Sequence, residues 1–443
     1  MAGVTTPGPP RLRRALGLWD LVFYGVILIQ PTAPLPLFGV VSVEARGHVV
    51  TTILIAMVGM LFTAISYGRM ARVYPEAGSA YTYVGRELHP ALGYLTGWSM
   101  AMDYMVNPIL CTVWCSKAAM NIVAGVPYPV WCVTFAALFT ALNLRGIKAS
   151  ARTNEVLAAG LLVVVGLFLF AAVRYLWLAG ADLVRPFYNP ETWSTSAVFT
   201  GTSIAALTYI GFDGISTLSE EVKDPRRNIL RATVLTCLIT GVLASLEVYF
   251  GQLVWPDYSS YPDVDTAFVF IAGRAGGDGL LHLVNVSLLA ATIGSGTGAQ
   301  LGAARLLYGM GRDNAIPRGF FGRLEPKRQI PRNNVLFLGA VALAGSLVLS
   351  FQLAAELLNF GAFIAFMGVN LAAFHHYWLK ASSKRLGHLV PPLIGFFMCG
   401  YIWLNLRWPA MIAGSAWLLA GLAWGAVRTR GFRHAAPPGN LER

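Results

Sequence analysis

The stretch SIAALTYIGFDGISTLSEEVKDPRRNILR, Ser203–Arg231, begins as an apolar helix, breaks at Gly211-Phe212-Asp213-Gly214, resumes for about two turns and ends in a dense charged loop. An acid between two glycines is out of place in a simple membrane anchor. Each unsatisfied backbone group in hydrocarbon costs several kcal/mol, so a broken helix persists only where protein or a watery cavity covers the break. An ionisable side chain at that depth marks a functional site, and Asp213 is the first candidate.

The surrounding composition agrees. Of 443 residues, 56% are hydrophobic and 12% charged, with mean hydropathy +0.59. Soluble domains carry roughly 25% charged residues, so this composition implies a polytopic membrane protein. The five cysteines, Cys111, Cys115, Cys132, Cys237 and Cys399, fall in apolar segments without a CxxC or Cys/His cluster. They are expected to be buried and reduced, and neither disulfides nor a metal site is indicated. The net charge of +12 is dispersed rather than gathered into a patch, which argues against nucleic acid.

Windows of 18 or more apolar residues give twelve candidate spans, roughly at 18–43, 48–70, 93–122, 128–146, 154–178, 195–220, 231–254, 279–308, 333–352, 356–379, 389–405 and 409–427. With the N-terminus inside, all 33 Lys and Arg fall on the inner side except Arg46, Lys117, Arg174, Arg185, Arg274 and Arg407. By the positive-inside rule both termini are cytoplasmic. The first segment reads as a span rather than a signal peptide, because no small-residue cleavage site follows it. The expected layout is an N-terminal tail (1–15), a ten-helix core (16–380), two further helices (381–427) and a C-terminal tail (428–443) in the cell membrane.

Span 1 is also interrupted. Leu28-Ile29-Gln30-Pro31-Thr32-Ala33-Pro34-Leu35-Pro36 holds three prolines, and proline removes an amide donor and clashes with the preceding turn. The interruption lies about 12 residues in, or ~18 Å, near mid-bilayer. An unwound segment over 29–33 is expected there rather than a simple kink. Spans 1 and 6, both broken and five apart, run in opposite directions. That pattern predicts an all-α fold of two inverted five-helix repeats, spans 1–5 and 6–10, with two helices appended, and it marks secondary transporters.

Other polar residues join the list. Between spans 2 and 3, Tyr74–Tyr83 reads as a turn and a polar, aromatic half-turn. Span 3 carries Asp103 about 15 Å deep, beside Tyr104, Asn107 and Pro108. Lys117 lies ~21 Å further along, too far to pair with Asp103, and is expected to snorkel to the outer surface. Span 7 carries Glu247 in its outer half. In span 8, Gly294, Gly298 and Gly302 share one face and predict close helix packing, while Ser295 and Thr297 are candidate cavity hydroxyls. The basic stretch beyond span 8 is read as a face meeting anionic lipid. His375 and His376 are expected at the surface.

With these residues in hand, the chain resembles the amino acid–polyamine–organocation superfamily over essentially residues 16–427. The strings that carry it are YPEAGSAYTY (Tyr74–Tyr83), GFDGISTLSEEVKDPRR (Gly211–Arg227) and ARLLYGMGRDNAIP (Ala304–Pro317). The resemblance implies a LeuT-like fold with substrate held where spans 1 and 6 unwind and spans 3 and 8 completing the site. GFDG with its TLSEE tail is similar to the putrescine-importer branch, and comparable strings occur among cationic amino acid permeases. Two departures stand out. Amino acid members carry a glycine-rich unwound span 1, where this chain has Gln30-Pro31-Thr32-Ala33-Pro34. Some members place a lysine in span 5, where this chain has Leu161.

The expectation is a transporter importing a polyamine such as putrescine by alternating access, with a cationic or neutral amino acid as the alternative cargo. The expected substrate contacts are Ile29, Gln30, Pro31, Thr32, Ala33, Asp103, Tyr104, Gly211, Phe212, Asp213, Gly214, Ser295 and Thr297. Asp103 could instead be a structural partner or, like Glu247, carry a coupled proton. No cofactor is expected; a proton or ion gradient would supply the energy. An enzyme is disfavoured by the lack of HExxH, GxSxG or a nucleophilic cluster. Paired broken helices argue against a channel.

Overall fold

The computed structural model describes residues 16–75, 79–145, 151–180, 182–219, 221–312, 316–325, 330–382 and 384–428; the side chains at 151–155, 217 and 428 are likewise not described. The predicted tails 1–15 and 428–443 lie outside the described residues, apart from the backbone of Arg428. Parts of the resemblance strings, 76–78, Glu220 and 313–315, and the basic residues Lys327 and Arg328 lie outside them too.

Among the described residues every regular element is a helix, and one β-bridge joins Leu16 to Val222. Helix α1 spans Leu18–Ile29 and α2 spans Phe38–Glu44, with the proline-rich segment between them. Helix α3 is Val49–Val73, α4 is Ser79–Glu87, and α5 is Pro90–Met120 with Pro90 in the first turn, where no amide partner is lost. Helices α6 (Tyr128–Arg145), α7 (Ala151–Ala179) and α8 (Thr195–Ala205) follow. Two 3-10 segments, Ala206–Tyr209 and Phe212–Leu218, flank the second break. Then come α9 (Pro225–Val254), α10 (Ala267–Gly276), α11 (Asp278–Arg312), α12 (Arg318–Phe321), α13 (Arg332–Val348) and α14 (Phe351–Phe374). A π-helical turn, His375–Leu379, ends α14, and α15 (Leu386–Leu404) and α16 (Trp408–Arg428) close the chain.

Eight of the described segments are long and apolar enough to cross a membrane, and the shorter apolar helices are α1, α10 and α13. Two elements depart from expectation. The polar half-turn after span 2 is the nine-residue helix α4, and α10 was not foreseen in the loop before α11.

Packing pairs α3 with α9, α5 with α11 and α14, and α6 with α13; α1 lies on α9 and on Phe212–Leu218, and α2 lies on α8. α15 packs on α14 and α3, while α16 packs on α14 and α5. The last of these contacts is specific: Trp98 and Trp417 stack at 4.9 Å, and each indole N–H donates to the other's backbone carbonyl, at 2.9 and 3.0 Å. Buried amides join the helices elsewhere. Asn143 donates to the Gln300 side chain, Asn285 to the Ala118 carbonyl and Asn334 to the Ala304 carbonyl. Such bonds serve where hydrophobic attraction between helices is weak.

The five cysteines are free and buried. The glycine expectation holds at Gly302, where a Cβ would lie 3.3 Å from the Tyr104 ring of α5, and not at the other two positions. A Cβ at Gly298 meets nothing within 4 Å and one at Gly294 only Leu157, so this face of α11 borders open space; the close-approach glycine is Gly296, against Phe139 and Cys111. Lys117 does not snorkel freely. It pairs with Asp263 and Asp265 at 3.7 and 3.6 Å, because the loop before α10 folds over the end of α5.

A Cβ at Gly68 of α3 would collide with the Leu230 backbone of α9. Gly68→Ala should therefore lower the melting temperature of the purified protein, by an overpacking cost of about 1–3 kcal/mol, while Gly298→Ala should stay within about 0.5 kcal/mol. Superimposable melting curves for the two variants would refute this packing.

Candidate functional site

The two breaks meet. Helix α1 ends at Ile29 because Gln30 adopts φ 73° and the next residue is proline. Gly211, at φ 127°, turns the chain between the 3-10 segments in a conformation that favours glycine. A Cβ built on Gly211 would lie 3.2 Å from Ile29 Cγ1, and one on Gly214 would press on the Leu28 side chain. Ile29, Gly211 and Gly214 are thus neighbours, as the sequence predicted.

The freed backbone groups are satisfied by protein. Asn359 of α14 donates to the carbonyls of Ser203 (2.6 Å) and Ile204 (3.3 Å) at the end of α8. Within residues 30–37, Gln30, Ala33, Leu35 and Leu37 donate to the carbonyls of Val26, Gln30, Thr32 and Pro34. Pro31, Pro34 and Pro36 have no N–H, which leaves the Thr32 amide. On the other side, the Gly214 amide donates to the Gly211 carbonyl at 3.0 Å, and the Asp213 carboxylate lies beside the backbone of Gly211, Asp213 and Gly214. The amide donors of the first break are therefore largely consumed from within, and so is that of Gly214 in the second.

Charge and aromatic groups gather on this point. Asp103 and Asp213 are close enough to feel one another's charge, and Tyr24, Tyr67 and Tyr104 also face Asp213 electrostatically. Behind Asp213, Phe212 packs edge-on to Tyr67 at 5.5 Å and beside Phe366 at 5.4 Å, all fully buried. The Gln30 side chain donates to the Ala291 carbonyl of α11 at 3.3 Å. One turn on, Ser295 lies beside Cys111, which donates to Asn107 at 3.3 Å, one turn from Asp103.

Pro31, Thr32, Ala33 and Phe212 belong to the breaks but lie buried or half-buried. Thr297 is drawn away from the site: its hydroxyl donates to Ile293 of its own helix and its carbonyl accepts from Asn143 of α6. Glu247 is fully buried on α9, and both its oxygens lack a hydrogen-bond partner. It stands between Gly241, which abuts Tyr209, and Gly251, which abuts Phe38, so it lies off the Asp103–Asp213 pair. Tyr24 and Asn359 went unnoticed in the sequence. Asn359, a lone amide in an apolar helix, was the available signal.

The site is closed on one face and open on the other. Towards α2, Phe38 is sealed by Phe268 and Tyr261, Ser42 bonds Gln252 and Tyr261, and Gly39 abuts the Val264 carbonyl. Glu44, Gln352, Glu356 and Arg407 add an ionic tie on that face, with Arg407 donating to Glu356 at 2.7 Å. Towards the start of α1, Tyr24 is 37%, Leu28 44% and Tyr104 40% exposed.

Apolar helices with two breaks converging on a carboxylate define a multi-pass membrane permease. The chain belongs to the amino acid permease family, whose sequence pattern, described as "Amino acid permease", matches residues 37–430. It is 36% identical over 454 aligned positions, covering 99% of both chains, to the low-affinity putrescine importer PlaP of Escherichia coli (strain K12). It is 26% identical to the branched-chain amino acid permease BcaP of Bacillus subtilis (strain 168), over 94% of this chain and 93% of that one. The methylthioribose transporter of the same organism is 24% identical, over 93% and 92%.

If Gly211 must hold its conformation, Gly211→Ala should add about 1–3 kcal/mol of backbone strain and press on Ile29. The variant should still insert in the membrane but lose ligand-induced thermal stabilisation. A wild-type ligand shift in that variant would show that the break tolerates other geometries.

Proposed function

We propose that this permease imports a polyamine such as putrescine across the cell membrane by alternating access. The observation that carries the reading is the amide ledger at the two breaks. A zwitterion needs its carboxylate held, ordinarily by free amides at the start of a half-helix. Here proline and local turns leave the Thr32 amide in the first break, and in the second the Gly214 amide is held by the Gly211 carbonyl while the Asp213 carboxylate lies against the neighbouring backbone. What faces the site instead is a pair of carboxylates, Asp213 and Asp103, with tyrosines beside them. Two acids suit a dicationic amine. The relation to a putrescine importer along nearly the whole chain supports the same cargo. The remaining Thr32 amide, and the kinship to a branched-chain amino acid permease, favour an amino acid as the second reading.

The proposal includes twelve spans, two inverted five-helix repeats (within residues 16–380), the two added helices (381–427) and both termini in the cytoplasm. Its support is the pairing of counterparts: α3 on α9, α5 on α11 and α6 on α13 are equivalent spans of the two halves. The half-helices cross-pair instead, the first half of each broken span lying on the second half of the other: α1 with Phe212–Leu218 and α8 with α2. In this frame the open face is cytoplasmic and the conformer faces inward. Asp103 serves as the second ammonium contact and Glu247, buried apart from the substrate, as the proton-coupling carboxyl.

Uptake into proteoliposomes tests the cargo. Labelled putrescine should be displaced by cadaverine and spermidine more strongly than by any amino acid; the reverse order would overturn the polyamine reading. Asp213→Asn should abolish uptake with insertion intact, and Asp103→Asn should raise KM by about 30-fold or more, reflecting ~2 kcal/mol or more for truncating one side of a buried charge pair. Glu247→Gln should retain putrescine exchange at equal pH but lose accumulation driven by an imposed pH gradient. Gradient-driven accumulation by that variant would remove Glu247 from coupling.

A further inference from the structure

Away from the breaks, on the face where α1 begins, the Glu87 side chain is 1% exposed, yet it collects four donors from two other parts of the chain. Tyr74, at the end of α3, donates its hydroxyl at 2.8 Å. His375 and His376 approach through Nδ1 at 2.9 and 3.0 Å, and Lys380 Nζ stands at 3.0 Å. An ionised carboxylate only accepts, so both imidazoles must present Nδ1–H. The π-helical turn makes this possible: the Lys380 amide bonds the His375 carbonyl five residues back, and two adjacent histidines reach one carboxylate. Burial alone would raise the Glu87 carboxyl, but the bonds from Lys380, Tyr74, His375 and His376 prevail and hold it down at about 2. It stays ionised across physiological pH and accepts from every one of these partners.

Glu87 closes α4, and the other end of α4 touches the site. The Ser216 hydroxyl donates to the Asp213 carbonyl at 2.6 Å and stands 3.1 Å from the Ser79 hydroxyl, the first residue of α4. From the middle of the helix, Tyr83 packs on Tyr67 at 6.2 Å, and Tyr67 packs on Phe212. A nine-residue helix of ~13 Å thus links the ionic cluster to the segment that holds Asp213.

We propose that Glu87, His375, His376 and Lys380 form a pH-responsive latch, and that α4 passes its state to the Asp213 segment. With neutral imidazoles, each histidine gives Glu87 an ordinary hydrogen bond. Protonation converts both to charge-assisted bonds, which are roughly twice as strong. Acidification on this face tightens the latch and favours the arrangement described here; rising pH loosens it. Other groups surround the histidines. Arg69 lies over the Tyr377 ring, which touches His376 and His388, and Arg72 acts on the same tyrosine. Arg385 and Arg69 face His388, and Arg86 lies over Tyr74. Placing this face in the cytoplasm rests on the topology proposed above; the latch itself does not depend on the cargo.

The test needs no substrate. Hydrogen exchange of residues 79–87 and 212–218 is followed in lipid nanodiscs from about pH 5.5 to about pH 8, a range that brackets free imidazole near 6.5. After correction for intrinsic exchange, wild-type protection should fall several-fold across that range. His375→Gln/His376→Gln, which keeps a donor at each position, should be flat, and so should Glu87→Gln. Protection in the histidine variant that keeps the wild-type pH dependence, or wild-type protection that does not change with pH, would overturn the latch. Because the readout involves no amine, failure here leaves the transport reading intact, and failure of putrescine uptake leaves the latch standing.

Discussion

A peptide group inside a bilayer has no water to fall back on, and each broken helix releases several such groups. The architecture around residues 30–37 and 206–214 follows from that constraint. Asn359 reaches from α14 to the last carbonyls of α8, local turns close around the prolines, and the Gly214 amide turns back to the Gly211 carbonyl. These repairs fix where α14 must lie against α8.

The same economy gives the molecule two unequal faces. On one, glycine, serine and aromatic side chains bring α2, α9 and the loop before α10 into direct contact, and Arg407 joins α2 to α14 through Glu44 and Glu356. On the other, the exposed side of α1 and the open glycine face of α11 leave space beside Tyr104. Closure on that side would require α1 to move towards α5 and α11. The segments that adjoin such a movement, Phe212–Leu218 and α4, are those carrying the Ser216 and Glu87 bonds. The Asp213 segment and the Glu87 cluster thereby lie on one continuous run of contacts.

The two breaks and the acids within apolar helices were legible in the sequence, because proline, glycine and a buried charge each violate a local rule of membrane helices. Those violations located Gln30–Ala33 and Gly211–Gly214, and hydropathy placed most helices to within a few residues. Asp103 was legible as a partner of Asp213 only through the depth of each in its own span, since periodicity carries no distance across helices. Periodicity also misjudged Gly294 and Gly298, whose side of α11 is met by no closer neighbour than Leu157. The Thr297 hydroxyl turns back on its own helix, a bond that periodicity does not show.

The sequence by itself determined that the chain lives in lipid, that two of its helices are interrupted and that an acid stands at one interruption. These are local matters, decided by which side chains hydrocarbon tolerates and which backbones can stay helical. Only the tertiary structure decided who satisfies whom. It assigned Asn359 to the end of α8 and Lys117 to two aspartates, and it gave Glu87 to a histidine pair that the sequence would leave at the surface. Hydrogen bonds between distant residues depend on the angle and register at which helices cross. Those are set by the packing of the whole bundle, and no local pattern encodes them.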